Sequence, residues 1–303
     1  MSAPASTAAG PLAPGERARV EELAAAASAA DGADALSEDA LLRLRTGADA
    51  VRHVLLHKAG TGALVGYAQL ADAGAELSGE LLVHPGARGR GRGRELLRAV
   101  EELAGGRPVL LWAHGDVPAA AALAAGAGWR RARELLRLHR PVAGLAQLAE
   151  PALPQGVVVR PFVPGADEDA WVAVNAASFA DHPEQGRWTA ADLLLREAEP
   201  WFDPSLLLLA HERGSTALLG SCWMKVQPHA SELYVLGVHP DAAGRGLGRA
   251  LLVRGLRAVA RPGAPEEVEL YVDGANAPAL RLYASLGFTR AAVDVQYASA
   301  PAR

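Results

Sequence analysis

The sequence has one cysteine, Cys222, among its 303 residues. A single thiol cannot form an intrachain disulfide, so nothing in the composition points to an oxidising compartment. The chain also lacks any window near the roughly 18 consecutive apolar residues of a membrane-spanning helix, and its first residues lack the basic and apolar regions of a signal peptide. We therefore expect a cytoplasmic protein with no membrane partner.

Basic charge and clustered metal ligands are also lacking. The net charge of -4 and the isoelectric point near 6.2 give no basic surface for nucleic acid. The nine histidines are dispersed, and one cysteine cannot build a zinc cluster, so we expect no metal. No Gly-Lys-Ser/Thr completes a P-loop, and no Gly-x-Ser-x-Gly elbow presents a serine nucleophile. We expect a monomer whose ligands are small molecules.

A glycine-rich motif occurs twice in the chain. LLVHPGARGRGRGRELL (Leu81 to Leu97) and LGVHPDAAGRGLGRALL (Leu236 to Leu252) agree at 12 of 17 positions without a gap. The length also suggests two domains, so duplication is the simplest account. The predicted organisation is a disordered tail over 1–14, an N-terminal domain over 15–140, a proline-containing linker over 141–156 and a C-terminal domain over 157–298.

The apolar pattern predicts the same order of elements in both halves. Several strands precede each glycine motif, and a helix, a strand, a helix and a strand follow it. Helices are predicted over 17–30, 37–45, 93–103, 118–125, 168–179, 190–197, from the second motif to about 260, and over 276–286. Strands are predicted over 51–57, 63–71, 76–83, 109–113, 132–140, from 157, and over 205–210, 217–226, 231–238, 268–272 and 288–297. This order indicates an α/β fold with mixed sheets and helices on both faces.

The glycines suggest a binding site for an anion. Gly244, Gly246 and Gly248 leave the main chain open, and the first N–H groups of the following helix lie at the positive end of its dipole. Arg245 and Arg249 would add charge at the rim. A tight turn without a ligand is the plainer interpretation. A dinucleotide fingerprint is a competitor, but it places its glycines directly after the first strand of a parallel unit, unlike here.

The motif resembles the acetyl-CoA motif of the GCN5-related N-acetyltransferase superfamily, a Val-His-Pro turn followed by Arg/Gln-x-x-Gly-x-Gly/Ala at a helix start. Ala243 departs from the usual Arg or Gln, which matters little where main-chain N–H groups make the contacts. The resemblance implies two tandem acetyltransferase domains and an acetyl-CoA site in each copy. Its residues are Leu81, Leu82, Val83, Gly89, Arg90, Gly91, Arg92, Gly93 and Arg94 in the first, and Leu236, Gly237, Val238, Ala243, Gly244, Arg245, Gly246, Leu247, Gly248 and Arg249 in the second.

A further segment of the same superfamily follows in the second copy only. LYVDGANAPALRLYASLGF, from Leu270 to Phe288, resembles its Asn-x-x-Ala-x-x-x-Tyr-x-x-x-Gly-Phe pattern. By resemblance, Asn276 and Arg281 would lie along acetyl-CoA and Tyr283 near its sulfur. Matching Gly128-Trp129 to Gly287-Phe288 places Ala124 at the tyrosine position.

The two copies therefore differ in their proton-transfer groups. Glu232 lies six residues before Val238, and the position at the same distance before Val83 is Leu77. Amide formation from a thioester needs a base for the amine and is helped by an acid for the thiolate. We predict that Glu232 is the base, that Tyr283 is the acid, and that the first copy binds acetyl-CoA without catalysis.

Outside the N-terminal tail and the linker, almost the whole chain also resembles the mycothiol synthases, most distinctively in HPEQG (His182 to Gly186). These enzymes acetylate the cysteinyl amine of cysteinyl-glucosaminyl-inositol with acetyl-CoA, the last step of mycothiol biosynthesis. The resemblance implies a substrate site at Glu38, Glu184, Lys225, Glu232 and Tyr271. Plainer interpretations stay open: Glu38 suits any helix start, and Lys225 suits an exposed strand edge. The alternative functions are acetylation of another small amine and a non-catalytic acetyl-CoA-binding regulatory protein.

Overall fold

The computed structural model of the chain describes residues 5–47, 51–180, 182 and 185–299. These form two compact units. The first comprises the described residues up to Leu136, Asp273–Ala275 and those from Ala292 onward, and the second comprises Arg137–Val272 and Asn276–Ala291. Within the described ranges, no helix is long and apolar enough to cross a membrane.

The elements follow the order that the sequence predicts. Those that begin before residue 157 are β1 (Ser6–Ala9), α1 (Pro14–Asp31), α2 (Glu38–Thr46), β2 (Val51–His57), β3 (Leu64–Asp72), β4 (Leu77–Val83), α3 (Arg92–Ala104), β5 (Val109–Ala113), α4 (Pro118–Gly126) and β6 (Arg130–Pro141). Those that follow are β7 (Val157–Pro161), α5 (Glu168–Ser178), α6 (Ala190–Glu197), β8 (Leu207–Glu212), β9 (Leu218–Val226), β10 (Ser231–Val238), α7 (Leu247–Val259), β11 (Glu267–Asp273), α8 (Ala277–Ser285) and β12 (Thr289–Ala298).

The first unit is a mixed sheet covered on both faces. Its strand order is β1-β2-β3-β4-β5-β12, antiparallel except where β4 runs parallel to β5. Leucines and alanines of α1 and α2 pack on one face around Tyr67. Residues of α3 and α4 pack on the other face around Leu70. Ser37 caps α2 by accepting a hydrogen bond from Ala40 N–H at 3.2 Å, as its position in the sequence predicts.

The second unit repeats this plan in the order β6-β11-β10-β9-β8-β7, with β10 parallel to β11. The helices α5 and α6 pack on one face through Trp171 and Leu193, which join a core around Trp223. The helix α7 packs so closely on the other face that a Cβ at Gly255 would stand 2.8 Å from the Cys222 Sγ. The prediction of two tandem α/β domains with mixed sheets is confirmed.

Two features differ from the sequence predictions. The stretch 1–14 is not disordered throughout, because Ser6–Ala9 pair with β2 and Pro14 begins α1. Main-chain hydrogen bonds to an open sheet edge need no large side chains, so an Ala- and Ser-rich segment can supply them. The segment 141–156 is packed rather than a free linker, since Leu145 is fully buried and Glu150 forms a 2.6 Å ion pair with Arg254.

The unit boundaries fall inside strands rather than between domains. The first unit's sheet ends with β12, and the second unit's sheet ends with β6, so each sheet takes its last strand from a distant part of the chain. Hydrophobic periodicity identifies a strand but does not encode its neighbour. The predicted linker at 141–156 separates the two copies of the sequence repeat. The two compact units instead divide inside β6 and near the ends of β11 and β12.

A buried histidine lies between two carboxylates in the first unit. His114 Nδ1 lies 3.1 Å from Asp294 Oδ2, and its Nε2 lies 3.6 Å from Glu80 Oε2, the distance of an ion pair rather than a hydrogen bond. Glu80 also accepts a hydrogen bond from Ser37 N–H at 2.8 Å. Burial alone lowers the pKa of His114, but the hydrogen bond to Asp294 and the two negative charges outweigh it and raise the pKa to about 10.

We expect this cluster to stabilise the first unit in a pH-dependent way. Because the folded-state pKa of His114 is raised, its contribution is fully present below its unfolded pKa and is lost as the pH rises toward about 10. His114→Gln should therefore cost about 3 kcal/mol of unfolding free energy near pH 6 and progressively less toward pH 10. Denaturant unfolding across that range checks this. A cost that does not change with pH would contradict it.

Candidate active site

The second glycine motif forms an exposed turn between β10 and α7. Gly244 and Gly246 have φ angles of 74° and 79°, in the left-handed region that favours glycine. No heavy atom beyond the adjoining residues lies within 4 Å of where a Cβ on either would stand. His239 Nδ1 accepts a hydrogen bond from Asp241 N–H at 3.2 Å, so His239 shapes the turn. The backbone of the turn is open to a ligand.

The start of α7 supplies amide groups at this turn. Ala250 N–H donates to Gly246 O at 3.1 Å, which leaves the N–H groups of Leu247, Gly248 and Arg249 without an intrahelical partner. They lie at the positive end of the helix dipole, where a phosphate or pyrophosphate binds well. A Cβ at Gly248 would make an ordinary van der Waals contact with Val238 Cγ2 at 3.4 Å, so α7 packs against β10 at this residue. We call the turn and the first turn of α7, Gly244–Arg249, the cradle. Its open amides suit the pyrophosphate of acetyl-CoA.

The strands β10 and β11 part beside this cradle. Their parallel pairing runs from Ser231 with Val268 to Leu233 with Leu270 and stops there. From Tyr234 onward, β10 has no paired residue on β11 in the described part of the chain. One edge of Leu236–Val238 is thereby open, and the resemblance to the acetyltransferases implies that these residues belong to the acetyl-CoA site.

A bulge in β10 sets which side chains face which side. Leu233 pairs with Met224 and Val235 pairs with Trp223, so Tyr234 is an extra residue. Directly paired residues share a face, and Glu232 pairs with Lys225. The bulge therefore places Glu232 on the face covered by α5 and α6. Leu236, Val238 and the cradle follow on the α7 side.

Glu232 and Lys225 form a pair on that face. Lys225 Nζ lies 3.8 Å from Glu232 Oε2, and their side chains are 4% and 15% exposed. Lys225 is therefore not an exposed strand edge, the plainer interpretation that the sequence left open. Glu269 on β11 is the neighbour of Glu232 on β10, and it makes its own 3.5 Å ion pair with Arg137. A carboxylate and an ammonium are thus held together near the opening between β10 and β11.

Tyr283 is buried on α8. Its ring meets Phe288 edge-on, with centroids 5.9 Å apart. Burial raises the pKa of Tyr283, and the neighbouring Cys222 adds to the shift, so the phenol stays protonated near neutral pH. Such a phenol is neutral before the reaction and has a proton to donate.

The remaining predicted residues lie at different places. Tyr271 is exposed on β11, one residue beyond the last pairing with β10. Asn276 caps α8 by accepting a hydrogen bond from Ala279 N–H at 3.1 Å, and Arg281 is exposed on that helix. Arg249 donates to Ser285 Oγ at 2.7 Å. Ala243 and Arg245 are exposed at the turn.

Two predicted substrate residues lie elsewhere. Glu38 is the first residue of α2, in the first unit. Glu184 lies outside the described residues. The neighbouring His182 Nδ1 accepts a hydrogen bond from Gln185 N–H at 3.0 Å, so this histidine orders its loop.

The first copy keeps the cradle but not the bulge. Gly89 and Gly91 have φ angles of 71° and 78°, and α3 starts after Gly91 as α7 does after Gly246. The pairing of β3 with β4 is continuous from Gly66 with Val83 to Asp72 with Leu77. Parallel pairing with β5 stops at Glu80, which leaves Leu81, Leu82 and Val83 beyond it.

An apolar pocket opens where β4 and β5 part. Ala124 stands there, at the position that the sequence matches to Tyr283. The lining residues are Leu81, Leu97, Leu111, Trp112, Ala113, Ala120, Leu123, Ala124, Trp129 and Tyr297. Two arginines of the first motif form ion pairs, Arg88 with Asp31 at 2.5 Å and Arg92 with Glu95 at 2.8 Å.

The bulge corrects one comparison between the copies. The match of Gly128-Trp129 to Gly287-Phe288 also places Trp112 at the position of Tyr271. Glu232 pairs with Glu269, two residues before Tyr271, whereas Leu110, two residues before Trp112, pairs with Ser78. Ser78 rather than Leu77 is therefore the counterpart of Glu232. Neither Ser78 nor Leu77 carries a carboxylate, so the first copy still has no counterpart of the predicted base.

Sequence reasoning missed the aromatic wall behind the Lys225–Glu232 pair. Trp201 and Tyr234 stand over Lys225, with their ring centroids 4.5 and 5.1 Å from Nζ. Arg196 donates to Tyr234 Oη at 2.9 Å. The only available signal was the density of aromatics between residues 171 and 234, which reads equally well as an ordinary core.

Cys222 is unsuited to carry an acetyl group. It is fully buried on the α7 face, and burial raises its pKa to about 12. The reactive form of cysteine is the thiolate, so a fully buried and protonated thiol is a poor acetyl acceptor.

Comparisons with known proteins agree with this geometry. The family described as "Acetyltransferase (GNAT) family" matches residues 171–288, and "Acetyltransferase (GNAT) domain" matches 50–130. A mycothiol acetyltransferase of Kineococcus radiotolerans is 63% identical over 96% of both chains, and that of Thermomonospora curvata is 53% identical over 93% of both.

Solved structures share the fold over nearly the whole chain. A GCN5-related N-acetyltransferase from Sphaerobacter thermophilus superposes with a TM-score of 0.68 at 27% identity, covering 97% of this chain and 95% of that one. A tandem GNAT protein from the clavulanic acid biosynthesis pathway superposes with a TM-score of 0.73, covering 97% and 98%. At 21% identity, this similarity is evidence for a shared fold alone.

The duplicated cradle, the parted strands and these matches define a tandem N-acetyltransferase of the GCN5-related superfamily, a class that uses acetyl-CoA. Within that class, the chain belongs to the mycothiol acetyltransferase family.

Proposed function

We propose that the chain transfers the acetyl group of acetyl-CoA to the cysteinyl amine of cysteinyl-glucosaminyl-inositol, the final step of mycothiol biosynthesis. The observation that carries this is the buried Lys225–Glu232 pair beside the opening between β10 and β11. A substrate rich in hydroxyls and bearing one amine needs charged and polar partners, because each unpaired polar group costs free energy when buried. Tyr271, exposed on β11 just beyond the last pairing with β10, completes the proposed substrate site in the second unit.

In this proposal, Glu232 takes a proton from the attacking amine, directly or through water. The nitrogen forms a bond to the thioester carbonyl carbon, and the bond from that carbon to sulfur breaks. Main-chain N–H groups of Leu236–Val238 polarise the carbonyl oxygen. Tyr283 donates its phenolic proton to the departing thiolate, and solvent then restores that proton to Tyr283 while Glu232 releases to solvent the one it took. Asn276 and Arg281 line the acetyl-CoA arm, and the cradle at Gly244–Arg249 holds the pyrophosphate.

The first copy plays a different part. It binds a second acetyl-CoA through the cradle at Gly89–Arg94 and the edge at Leu81–Val83 without turning it over. The support is Ser78 in place of Glu232 and Ala124 in place of Tyr283.

Tyr283→Phe is expected to lower kcat about 10-fold. The effect is moderate because a thiol of pKa about 8.5 leaves readily even without an acid. The phenylalanine keeps the packing on Phe288, so the KM for acetyl-CoA should stay within about twofold. Steady-state release of free CoA measures both. An unchanged kcat would remove the acid role.

The test of function offers the purified protein acetyl-CoA with cysteinyl-glucosaminyl-inositol, with glucosaminyl-inositol lacking the cysteinyl group, and with an aminoglycoside and a polyamine. Acetylation of the cysteinyl amine alone supports the proposal. Turnover only with the aminoglycoside or polyamine would reject the substrate and keep the enzyme class. Binding of acetyl-CoA with no turnover of any amine would favour a regulatory protein.

A further inference from the structure

Arg196 is the most deeply buried arginine near the candidate site, with 3% of its surface exposed. It lies on α6, where Nη1 donates to Asp192 O at 2.9 Å and the guanidinium stacks 3.8 Å from the centre of the Trp188 ring. Its Nε donates to Tyr234 Oη at 2.9 Å. These contacts hold the guanidinium in one orientation between α6 and β10.

Its partner Tyr234 is the bulged residue of β10. A bulge leaves its extra residue outside the ladder of main-chain hydrogen bonds, so side-chain contacts must fix its position. The ring packs edge-on against Trp201 and Trp223, with centroids 5.2 Å away in each case. These contacts fix the plane of the ring. The bond from Arg196 fixes where its hydroxyl lies.

Tyr234 in turn forms part of the wall around Lys225. The ammonium lies 5.1 Å from the Tyr234 ring centre and 4.5 Å from that of Trp201, and 3.8 Å from Glu232. Cation–π attraction favours this place for the ammonium. A shift of the Tyr234 ring would therefore also move Lys225 away from Glu232.

We propose that Arg196 is a positioning residue for the acetylated amine. Acting through Tyr234, it holds the bulge of β10 and keeps Lys225 beside Glu232, so that the amine meets its base and its hydrogen-bond partner in a fixed geometry. This inference rests on the proposed amine acetylation and extends it to a residue on α6 outside the substrate-binding set.

The side-chain chemistry explains why arginine is needed there. A guanidinium can stack on an indole and donate in its own plane at the same time. A lysine would keep the charge, but it has no planar group to stack on Trp188 and reach Tyr234 together. The two substitutions Arg196→Lys and Tyr234→Phe thus remove the same link from its two ends, with little change in charge or volume.

We expect each variant to lower kcat/KM for the amine about 10-fold, since small misplacements of reacting groups are costly. The KM for acetyl-CoA should stay within about twofold, because the cradle at Gly244–Arg249 lies on α7. The double variant should be little worse than either single one, because both break one link.

The pH profile gives a second readout. Glu232 lies beside Lys225 on β9 and beside Glu269 on β11, which pairs with Arg137 on β6, and Arg196 contacts Tyr234 on the same face. Releasing the Lys225 cation removes a charge that favours the carboxylate. The acidic limb of kcat/KM should therefore move to higher pH in both variants, which loss of stability alone would not cause.

The matched control is Arg160→Lys, which weakens a bidentate bond to Asp167 at the edge of the same unit. It should lower the unfolding temperature without changing kcat/KM for the amine. Folded Arg196→Lys or Tyr234→Phe with unchanged kcat/KM and pH profile overturns the inference, as does an equal loss for both substrates. Should Arg196→Lys fail to fold, Tyr234→Phe still decides. Failure of the proposed function would instead appear as an inactive wild type.

Discussion

Glu232→Gln is expected to lower kcat about 1,000-fold, within the range that general-base catalysis contributes. Glutamine keeps the size of the side chain and can still contact Lys225, but it cannot accept a proton from the amine. The KM for acetyl-CoA should change by no more than about twofold, because the cradle is built from main-chain groups on the α7 side of β10. Initial rates of CoA release measure both parameters.

The pH dependence separates loss of a base from loss of structure. An amine that is mostly protonated near neutral pH becomes free amine as the pH rises, so the variant should recover activity with increasing pH while the wild type levels off. Glu267→Gln is the matched control, since this carboxylate is 54% exposed on β11 and pairs only loosely with His139. It should retain wild-type kcat. A Glu232→Gln variant within a few-fold of wild type would show that Glu232 is not the base.

The boundaries of the elements could be predicted well from the sequence. The strands Val51–His57, Val109–Ala113 and Ser231–Val238 and the helix Ala190–Glu197 have the predicted bounds. Alternating or continuous apolar runs ended by glycine or proline mark such elements locally. The left-handed φ angles at Gly89, Gly91, Gly244 and Gly246 follow from the same local chemistry.

What could not be predicted depends on contacts between distant residues. The sequence does not encode that β12 closes the first unit's sheet and β6 the second's, because a strand carries no label for its neighbour. Nor does it show the bulge at Tyr234, since LYVLGV reads as an unbroken apolar strand. Without the bulge, Glu232 would face the α7 side. Because the sequence does not show the extra residue, it matches Glu232 to Leu77, one residue before the true counterpart Ser78. Arg196 was overlooked because LLLRE reads as an amphipathic helix with an exposed arginine.

The second large effect is expected at the cradle, from Gly246→Val. At a φ angle of 79°, a β-branched residue is strained by about 1–2 kcal/mol, and its side chain would project into the open space where the pyrophosphate is proposed to lie. Displaced amides would lose further hydrogen bonds to a charged group. The strain is present with and without ligand, so the loss of affinity comes from the displaced amides and the blocked space. A loss of about 3 kcal/mol corresponds to an approximately 100-fold higher KM for acetyl-CoA, with little change in the KM for the amine.

The same substitution at Gly91 tests the asymmetry between the copies. Its φ angle of 78° and open surroundings match those of Gly246, so the local strain is the same. Because the first copy has Ser78 and Ala124 where the second has Glu232 and Tyr283, Gly91→Val should keep kcat/KM within about twofold of wild type. Titration calorimetry should then show one bound acetyl-CoA per chain where the wild type binds two. If Gly91→Val impaired turnover as strongly as Gly246→Val, the first copy would have to take part in catalysis, and the loss of its proton-transfer groups would need another explanation.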